Sequence, residues 1–272
     1  MPLVPKPTRP PLLALRQAVP AWVYRGAVAL SFLGVLALWF WISHRPDTNP
    51  IFFPTPERVW TTGLAFLSDS TLQSDIEMSF QRVTYGFLLS VVLAVPLGLL
   101  IGAFKLGEGF FQPLTEFIRY IPVPALIPVL MIIFGIGELS KVMLIFIGTF
   151  FQLVLMVADE TRRVPYDLLQ VSYTLGARRD EVVTQVLLRG AMPGIFDAMR
   201  LCLGWAWSYV IVAELVAANE GLGYRILKFS RFLQTPKIWF YLLVLGCIGL
   251  GLDVIFRAVG RHVFHWADTS RR

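Results

Sequence analysis

An all-α, polytopic membrane helical bundle with about six transmembrane helices is the fold class this sequence predicts, and three observations predict it. The 272 residues are 56% hydrophobic and only 15% charged, a balance too apolar for an ordinary soluble domain. Six segments approach the roughly 20 apolar residues that a bilayer core about 30 Å thick requires. Lys and Arg gather beside those segments and not along a polar face interleaved with aromatics, so the formal charge of +6 argues for membrane topology and against nucleic acid.

The N-terminal stretch MPLVPKPTRPPLLALRQAVP is long, Pro-rich and basic, and the apolar run after it lacks a small-residue cleavage site. That run, Ala27 to Ser43, is therefore expected to remain as the first span. The outer connection from Arg45 to Thr84 contains NPIFFPTPERVW, whose prolines forbid a regular helix until Pro56 can start one at Glu57. The second span is expected near Tyr85 to Phe104, the third Phe111 to Phe134, the fourth Lys141 to Ala158, the fifth Gly194 to Ala217 and the sixth Trp239 to Val259. With the N-terminus inside, fourteen Lys and Arg fall on the cytoplasmic side and seven outside, which satisfies the positive-inside rule and places both termini in the cytoplasm. Most of the outer excess comes from Glu220 to Lys237, where Ile226, Phe229 and Leu233 of RILKFSRFL have the spacing of an amphipathic interfacial helix. Its charge suits lipid head groups, a structural cap or an acidic partner surface. The expected organisation is a cytoplasmic tail over residues 1–26, one membrane domain over 27–259 that includes a cytoplasmic hairpin at 161–193, and a cytoplasmic tail over 260–272.

That hairpin reads YTLGARRDEVVTQVLLRGAMPG from Tyr173 to Gly194. Pro165 is a good first helical residue; Leu168, Leu169, Ser172 and Leu175 share one stripe, and Gly176 is a natural left-handed C-cap. A second short helix then carries Val182, Val183, Val186 and Leu187, and Pro193 with Gly194 is expected to break it before the fifth span. Such a helix, tied at both ends to spans, can pass a push from a soluble partner into the bundle.

At this point the sequence resembles the permease subunits of bacterial ABC importers, whose cytoplasmic motif is EAA, three residues, Gly, nine residues, Ile, any residue, Leu, Pro. Gly176 and Leu188 fall on their places, with Val186 at the Ile place. The triplet departs, reading Gln170, Val171, Ser172, and Arg189 stands at the final Pro, while Pro193 keeps a second proline common there. FFPTPERVW, SFQRVTYGFLLSVVLAVPLGLLIG, IRYIPVPALIPVLMIIFGIGELSKVML, WAWSYVIVAELVAANEGLG and RHVFHW are similar to blocks of the nitrate, sulfonate, taurine and bicarbonate branch, from about Pro50 to Trp266. The resemblance implies a type I ABC importer permease fold in a bacterial inner membrane, moving a small oxyanion or sulfonate such as nitrate, bicarbonate, taurine or an alkanesulfonate. It implies a second permease copy, two ABC ATPase subunits and an external solute-binding protein as partners. ATP and Mg would be bound by the ATPases, with no cofactor in this chain. Gln170, Val171, Ser172, Tyr173, Leu175, Gly176 and Ala177 would form the coupling helix.

Charges inside spans are functional candidates because burying them is costly. Asp253 and Arg257, four apart, fit a structural ion pair, and Arg200 is close enough to the cytoplasm to snorkel or to meet an anion. Glu214 lies toward the outer end of the fifth span, where it can order the outer loop or gate; contact with an anionic substrate is disfavoured by like charge. The prolines of RYIPVPALIP interrupt the backbone in an apolar setting, so Pro122 and Pro124 mark either a packing kink or a constricted pathway that Tyr120, Trp205 and Ser208 would line. Gly98 and Gly102 form a GxxxG suited to close packing within the subunit.

No enzyme constellation is present in the sequence. GIGELSK lacks the phosphate-loop spacing and follows an apolar helix, so it is expected to be an outer turn. His262 and His265 crowd the basic tail and His44 ends the first span; Cys202 and Cys247, inside apolar runs, are expected to be buried small hydrophobes. The competing functional classes are a membrane scaffold or assembly protein anchoring a soluble partner, and an intramembrane enzyme.

Overall fold

The computed structural model describes residues 19–67 and 70–267, so the expected tails fall partly outside the described residues, at 1–18 and 268–272. Eleven α-helices are described: α1 (Ala21–Ser43), α2 (Pro56–Leu67), α3 (Ser70–Ala103), α4 (Lys105–Arg119), α5 (Ile127–Phe134), α6 (Glu138–Arg162), α7 (Tyr166–Thr174), α8 (Arg179–Glu181), α9 (Leu188–Ala217), α10 (Leu222–Arg231) and α11 (Thr235–Val263). Among the described residues, α1, α3, α6, the run from α8 through α9, and α11 are each long and apolar enough to cross a membrane. α4 and the segment Val123–Phe134 pass the same test together, bent by 91°, and make a sixth candidate span.

The centre of the bundle is α3 laid along α6, with α9 completing it. Small residues on one face of α3 permit the approach: a Cβ at Gly98 would lie 2.6 Å from the Val154 carbonyl, and one at Gly102 would lie 2.7 Å from the Ala158 carbonyl. The GxxxG therefore serves packing inside the subunit. About two turns from Gly98 toward the start of α3, Ser90 Oγ lies 2.6 Å from Thr149 Oγ1 and donates to the Phe146 carbonyl at 3.0 Å, a polar tie across the seam. Ala94, Ile101, Leu153, Val154, Val157 and Ala158 are all buried around it.

The second span is longer than its apolar run predicts. At 34 residues, α3 reaches about 50 Å and so extends beyond the bilayer. The extra turns carry Asp75, Ser79 and Arg82, all buried, because α9, α10 and α11 close over them. α2 does begin at Pro56, with Glu57 in its first turn.

The third span is interrupted where the prolines of RYIPVPALIP fall: Pro122 is extended (φ −60°, ψ 117°), and a 3₁₀ turn over Val123–Leu126 redirects the chain into α5. Each of Ile121 and Val123 precedes a proline, which disfavours helical geometry at both positions. Two other expectations need correction. Pro193 and Gly194 do not break the hairpin from the fifth span. Proline here removes a single hydrogen bond near the hairpin end of the helix, where the freed carbonyl can reach water, and α9 continues through it. Cys202 is buried as expected, but Cys247 is exposed, because α11 packs through one face and position 247 lies on another.

α1 and α11 are peripheral. They meet through Trp39 stacked on Trp239 with ring centroids 4.9 Å apart, while Trp39 Nε1 donates to the Pro54 carbonyl at 3.0 Å. Chain direction puts the hairpin α7–α8 at one end of the bundle and α2, α10 and the α5–α6 turn at the other, here called the far end.

The tight α3–α6 seam gives a first test. Gly98→Val should lower stability by about 1–3 kcal/mol through overpacking, and Gly34→Val, where a Cβ meets nothing within 4 Å, should not; thermal unfolding in detergent reads the difference.

Candidate functional site

The hairpin closes as the cap residues predict. Gly176 has φ +87°, the Ala177 N–H donates to the Ser172 carbonyl at 3.0 Å, and the Gly176 N–H donates to the Tyr173 carbonyl at 3.0 Å. This is the 6→1 closure of a helix by a left-handed glycine. The second half is secured from below: Val182 and Leu187 are buried, the Arg178 N–H donates to Glu181 Oε2 at 2.8 Å, and the Arg179 guanidinium sits 5.1 Å from the Phe104 ring centroid. Between α8 and α9 the chain makes a π-helical turn, Val182–Leu187, a local widening frequent at functional sites.

The first half is left uncovered. Gln170, Val171, Tyr173, Leu175 and Gly176 are exposed, Ser172 and Ala177 half-buried. Leu175 is 83% exposed, and Tyr166, Leu168, Val171 and Tyr173 extend the apolar surface. α7 is thus a short helix with an apolar face that the described residues leave uncovered.

Halfway along the bundle lies the 91° break. A cavity of about 200 Å³ opens beside it, opposite the middle of α6 and α9, lined by Arg119, Val123, Gln152, Trp205 and Tyr209 among others. Tyr120, Pro122, Pro124 and Ser208 lie on exposed surface. Broken helices at membrane depth are tolerated where protein buries the backbone or water lines it. Of the residues the sequence suggested for a pathway, only Trp205 lines this cavity.

The sequence reading missed Arg119, Gln152 and Tyr209. Arg119 ends α4; its Nη2 donates to the Tyr120 hydroxyl at 3.2 Å and its guanidinium lies 5.0 Å from the Tyr120 ring centroid. It makes no ion pair among the described residues, unlike Arg82, Arg200, Arg225 and Arg257. The signal was available, since an arginine inside an apolar span is itself a functional candidate.

Glu214 is elsewhere, at the far end, with no exposed surface. Its Oε1 accepts from Arg82 Nη1 at 2.7 Å and Ser79 Oγ at 2.8 Å, and its Oε2 accepts from the Gly223 N–H at 2.8 Å. Arg82 also grips Glu138 through Nε (2.5 Å) and Nη2 (2.9 Å) and donates to the Glu220 carbonyl at 2.8 Å, while Lys141 Nζ reaches Glu138 at 2.7 Å. Beside it, Asp75 accepts from Arg225 at 2.7 and 3.0 Å, from the Gly221 N–H at 3.0 Å and from the Tyr241 hydroxyl at 3.1 Å. The Asp75 hydrogen bond raises the Arg225 pKa above its ordinary value. Three cations face three carboxylates, so the cluster is neutral and its members are paired. Gly135 to Gly137 of GIGELSK make the turn between α5 and α6, and its Glu138 and Lys141, in the first turn of α6, belong to this cluster.

Arg200 pairs with Asp253 at 3.1 Å, and Arg257 holds the same carboxylate at 2.6 Å, the helical pair the spacing predicted.

An α-helical bundle of this architecture, with a broken span and a capped hairpin, defines a type I ABC importer permease fold. A chain of the MetNI methionine ABC transporter, solved in inward-facing conformations, superposes with a TM-score of 0.64 at 21% identity over 72% of this chain and 97% of that one. Residues 94–265 match the family described as binding-protein-dependent transport system inner membrane component, and the chain belongs to it. A probable ABC transporter permease protein of Brucella abortus is 31% identical over 90% of this chain and 97% of its own length. The taurine transport system permease protein TauC of Escherichia coli is 30% identical, with 90% of this chain and 92% of TauC covered.

The buried cluster makes a non-additive prediction. Arg82→Met should cost about 3–5 kcal/mol by stranding Glu214, and adding Glu214→Gln should recover part of that loss. Simple addition of the two single losses in an unfolding cycle would mean the pair is not energetically coupled.

Proposed function

We propose that this chain is the permease subunit of an ATP-driven importer, carrying a small oxyanion or sulfonate across a bacterial inner membrane by alternating access. The observation that carries the proposal is the uncovered apolar face of α7, fixed by Gly176 between two spans. That face suits a cleft on an ABC ATPase, with Gln170 to Ala177 as the contact. Two such ATPases, holding ATP and Mg, would drive two copies of this chain, and an external solute-binding protein would deliver the solute. The hairpin would then face the cytoplasm, with both termini on that side. The far end would face outward, where Glu214 orders the loop that leads into α10.

Arg119 supports the anion class. An unpaired guanidinium beside the mid-depth break is stabilised by water or by a passing anion, and its planar donors match the oxygens of nitrate, bicarbonate or a sulfonate. Tyr120, Pro122, Pro124, Trp205 and Ser208 would bound the route next to it. Taurine in the name of a relative is in keeping with that chemistry. A scaffold role would need the hairpin but not an arginine at mid-depth; ATP-dependent uptake by proteoliposomes carrying the chain and its ATPase separates the two.

Two variants probe the two parts. Gly176→Val forces a β-branched residue into left-handed geometry at about 1–2 kcal/mol, so it should weaken ATPase co-purification roughly tenfold while membrane insertion stays intact. Normal co-purification with normal uptake would sink the coupling role. Arg119→Gln should cut uptake at least about tenfold with ATPase docking unchanged, and Arg119→Lys should retain part of it. Unaltered transport in Arg119→Gln would remove Arg119 from the pathway.

A further inference from the structure

A second and larger cavity, of about 830 Å³, lies at the hairpin end between the C-terminal turns of α6 and α11 and the start of α9. Four guanidiniums line it: Arg163, Arg200, Arg257 and Arg261. Glu160 and Asp197 are the acidic groups on its wall, with Asp253 beside it. Glu160 is paired with Arg163, and Asp253 is shared by Arg200 and Arg257. Arg200 Nε is buried without a hydrogen-bond acceptor, its nearest carboxylate oxygen on Asp197 standing at 3.7 Å. Arg261 has no ion-pair partner among the described residues, and it lies one helical turn from Arg257, a spacing at which like charges repel. Among the described residues, four cations against three carboxylates leave a surplus positive charge and an orphaned donor around an open volume.

The rest of the wall is apolar. Phe196 stacks on Phe256 with centroids 5.2 Å apart and meets Phe264 at 5.5 Å, forming one side of the cavity with Pro193. Val254, also on the wall, is half exposed and shares its face of α11 with Leu250, which this chain leaves uncovered. Charge therefore sits at the end of the bundle and grease runs away from it along α11. This is the polarity of a lipid: a headgroup among cations at the membrane surface and acyl chains along an apolar helix.

We propose that this cavity is a binding site for the phosphate of an anionic phospholipid headgroup in the leaflet at the hairpin end. The phosphate oxygens would accept from Arg261 and Arg200 and relieve the repulsion between Arg257 and Arg261. A free phosphate ion offers the same oxygens but none of the apolar anchorage on Val254 and its neighbours.

The test uses the purified full-length chain, without nucleotide, ATPase or transported solute, so its outcome is separate from that of the importer reading. Phosphatidylglycerol or phosphatidylcholine is titrated in and retained lipid is read by native mass spectrometry. Phosphatidylglycerol should bind at least about fivefold more tightly, as one interfacial arginine contact is worth. Arg261→Gln, a change at an exposed residue without an ion pair, should erase that preference. Arg231→Gln at the other end of the bundle should leave it intact. Equal retention of both lipids, or an unchanged preference in Arg261→Gln, would overturn the proposal. Displacement of phosphatidylglycerol by millimolar inorganic phosphate would overturn the lipid assignment and leave a site for soluble oxyanions.

Discussion

The far end of this molecule depends on how one guanidinium is satisfied. Arg82 cannot lose its proton, and α3 carries it to a position that is only 3% exposed. Every hydrogen-bond acceptor it needs comes from another element: Glu138 at the start of α6, Glu214 on α9 and the Glu220 carbonyl before α10. Glu214 then holds the Gly223 N–H of α10, and Asp75, two turns away on the same face of α3, binds Arg225 of α10 and Tyr241 of α11. Five helices are tied by groups that would be prohibitively costly to bury apart, so the arrangement is close to all-or-none.

The hairpin end is built on the opposite principle. Its ion pairs, Arg163 with Glu160 and Arg257 with Asp253, involve partly exposed side chains, and exposed pairs contribute little to stability. Apolar residues of α7 remain uncovered there. One end is therefore fixed by buried charge, while the other has a soft polar margin and a surface awaiting a partner. Such asymmetry suits a bundle that must hold its connections on one side while responding on the other.

How much of this could be read from the sequence follows the range of the interactions. Local patterns were legible: the span count, the Pro56 helix start, the Gly176 cap, the GxxxG seam and the Asp253 to Arg257 pair all rest on residues within a few positions of each other. α10 was legible from the spacing of Ile226 and Phe229, although Leu233 falls beyond its end with φ +52°. Contacts between distant spans were not. Asp75 and Arg225 are 150 residues apart and no periodicity links them, so Arg225 read as one more interfacial cation. Pro193 misled because a proline reports the loss of one hydrogen bond, and whether a helix survives that loss depends on packing around it. Polar and aromatic character alone singles out Tyr120, Trp205 and Ser208 for a pathway, but the fold puts Arg119 and Trp205 on the cavity wall and leaves Tyr120 and Ser208 off it.

The continuity of the fifth span, which the sequence did not suggest, links these regions mechanically. From Arg179 to Val216 the helical run covers 38 residues, about 57 Å if straight. It begins in the hairpin, carries Trp205 and Tyr209 on the cavity wall in its last third, and reaches Glu214 in the buried cluster. A hydrogen-bonded helix resists stretching, so force on α7 is not dissipated along this run except where its ladder is altered, at the π turn Val182–Leu187 and at Pro193. Both lie on the hairpin side of the cavity. Beyond them the helix is pinned at Glu214, and the cavity wall lies between the flexible point and the pin. A rigid tilt of this run about Glu214 would change the distance between Trp205 and the Arg119 corner of the broken span.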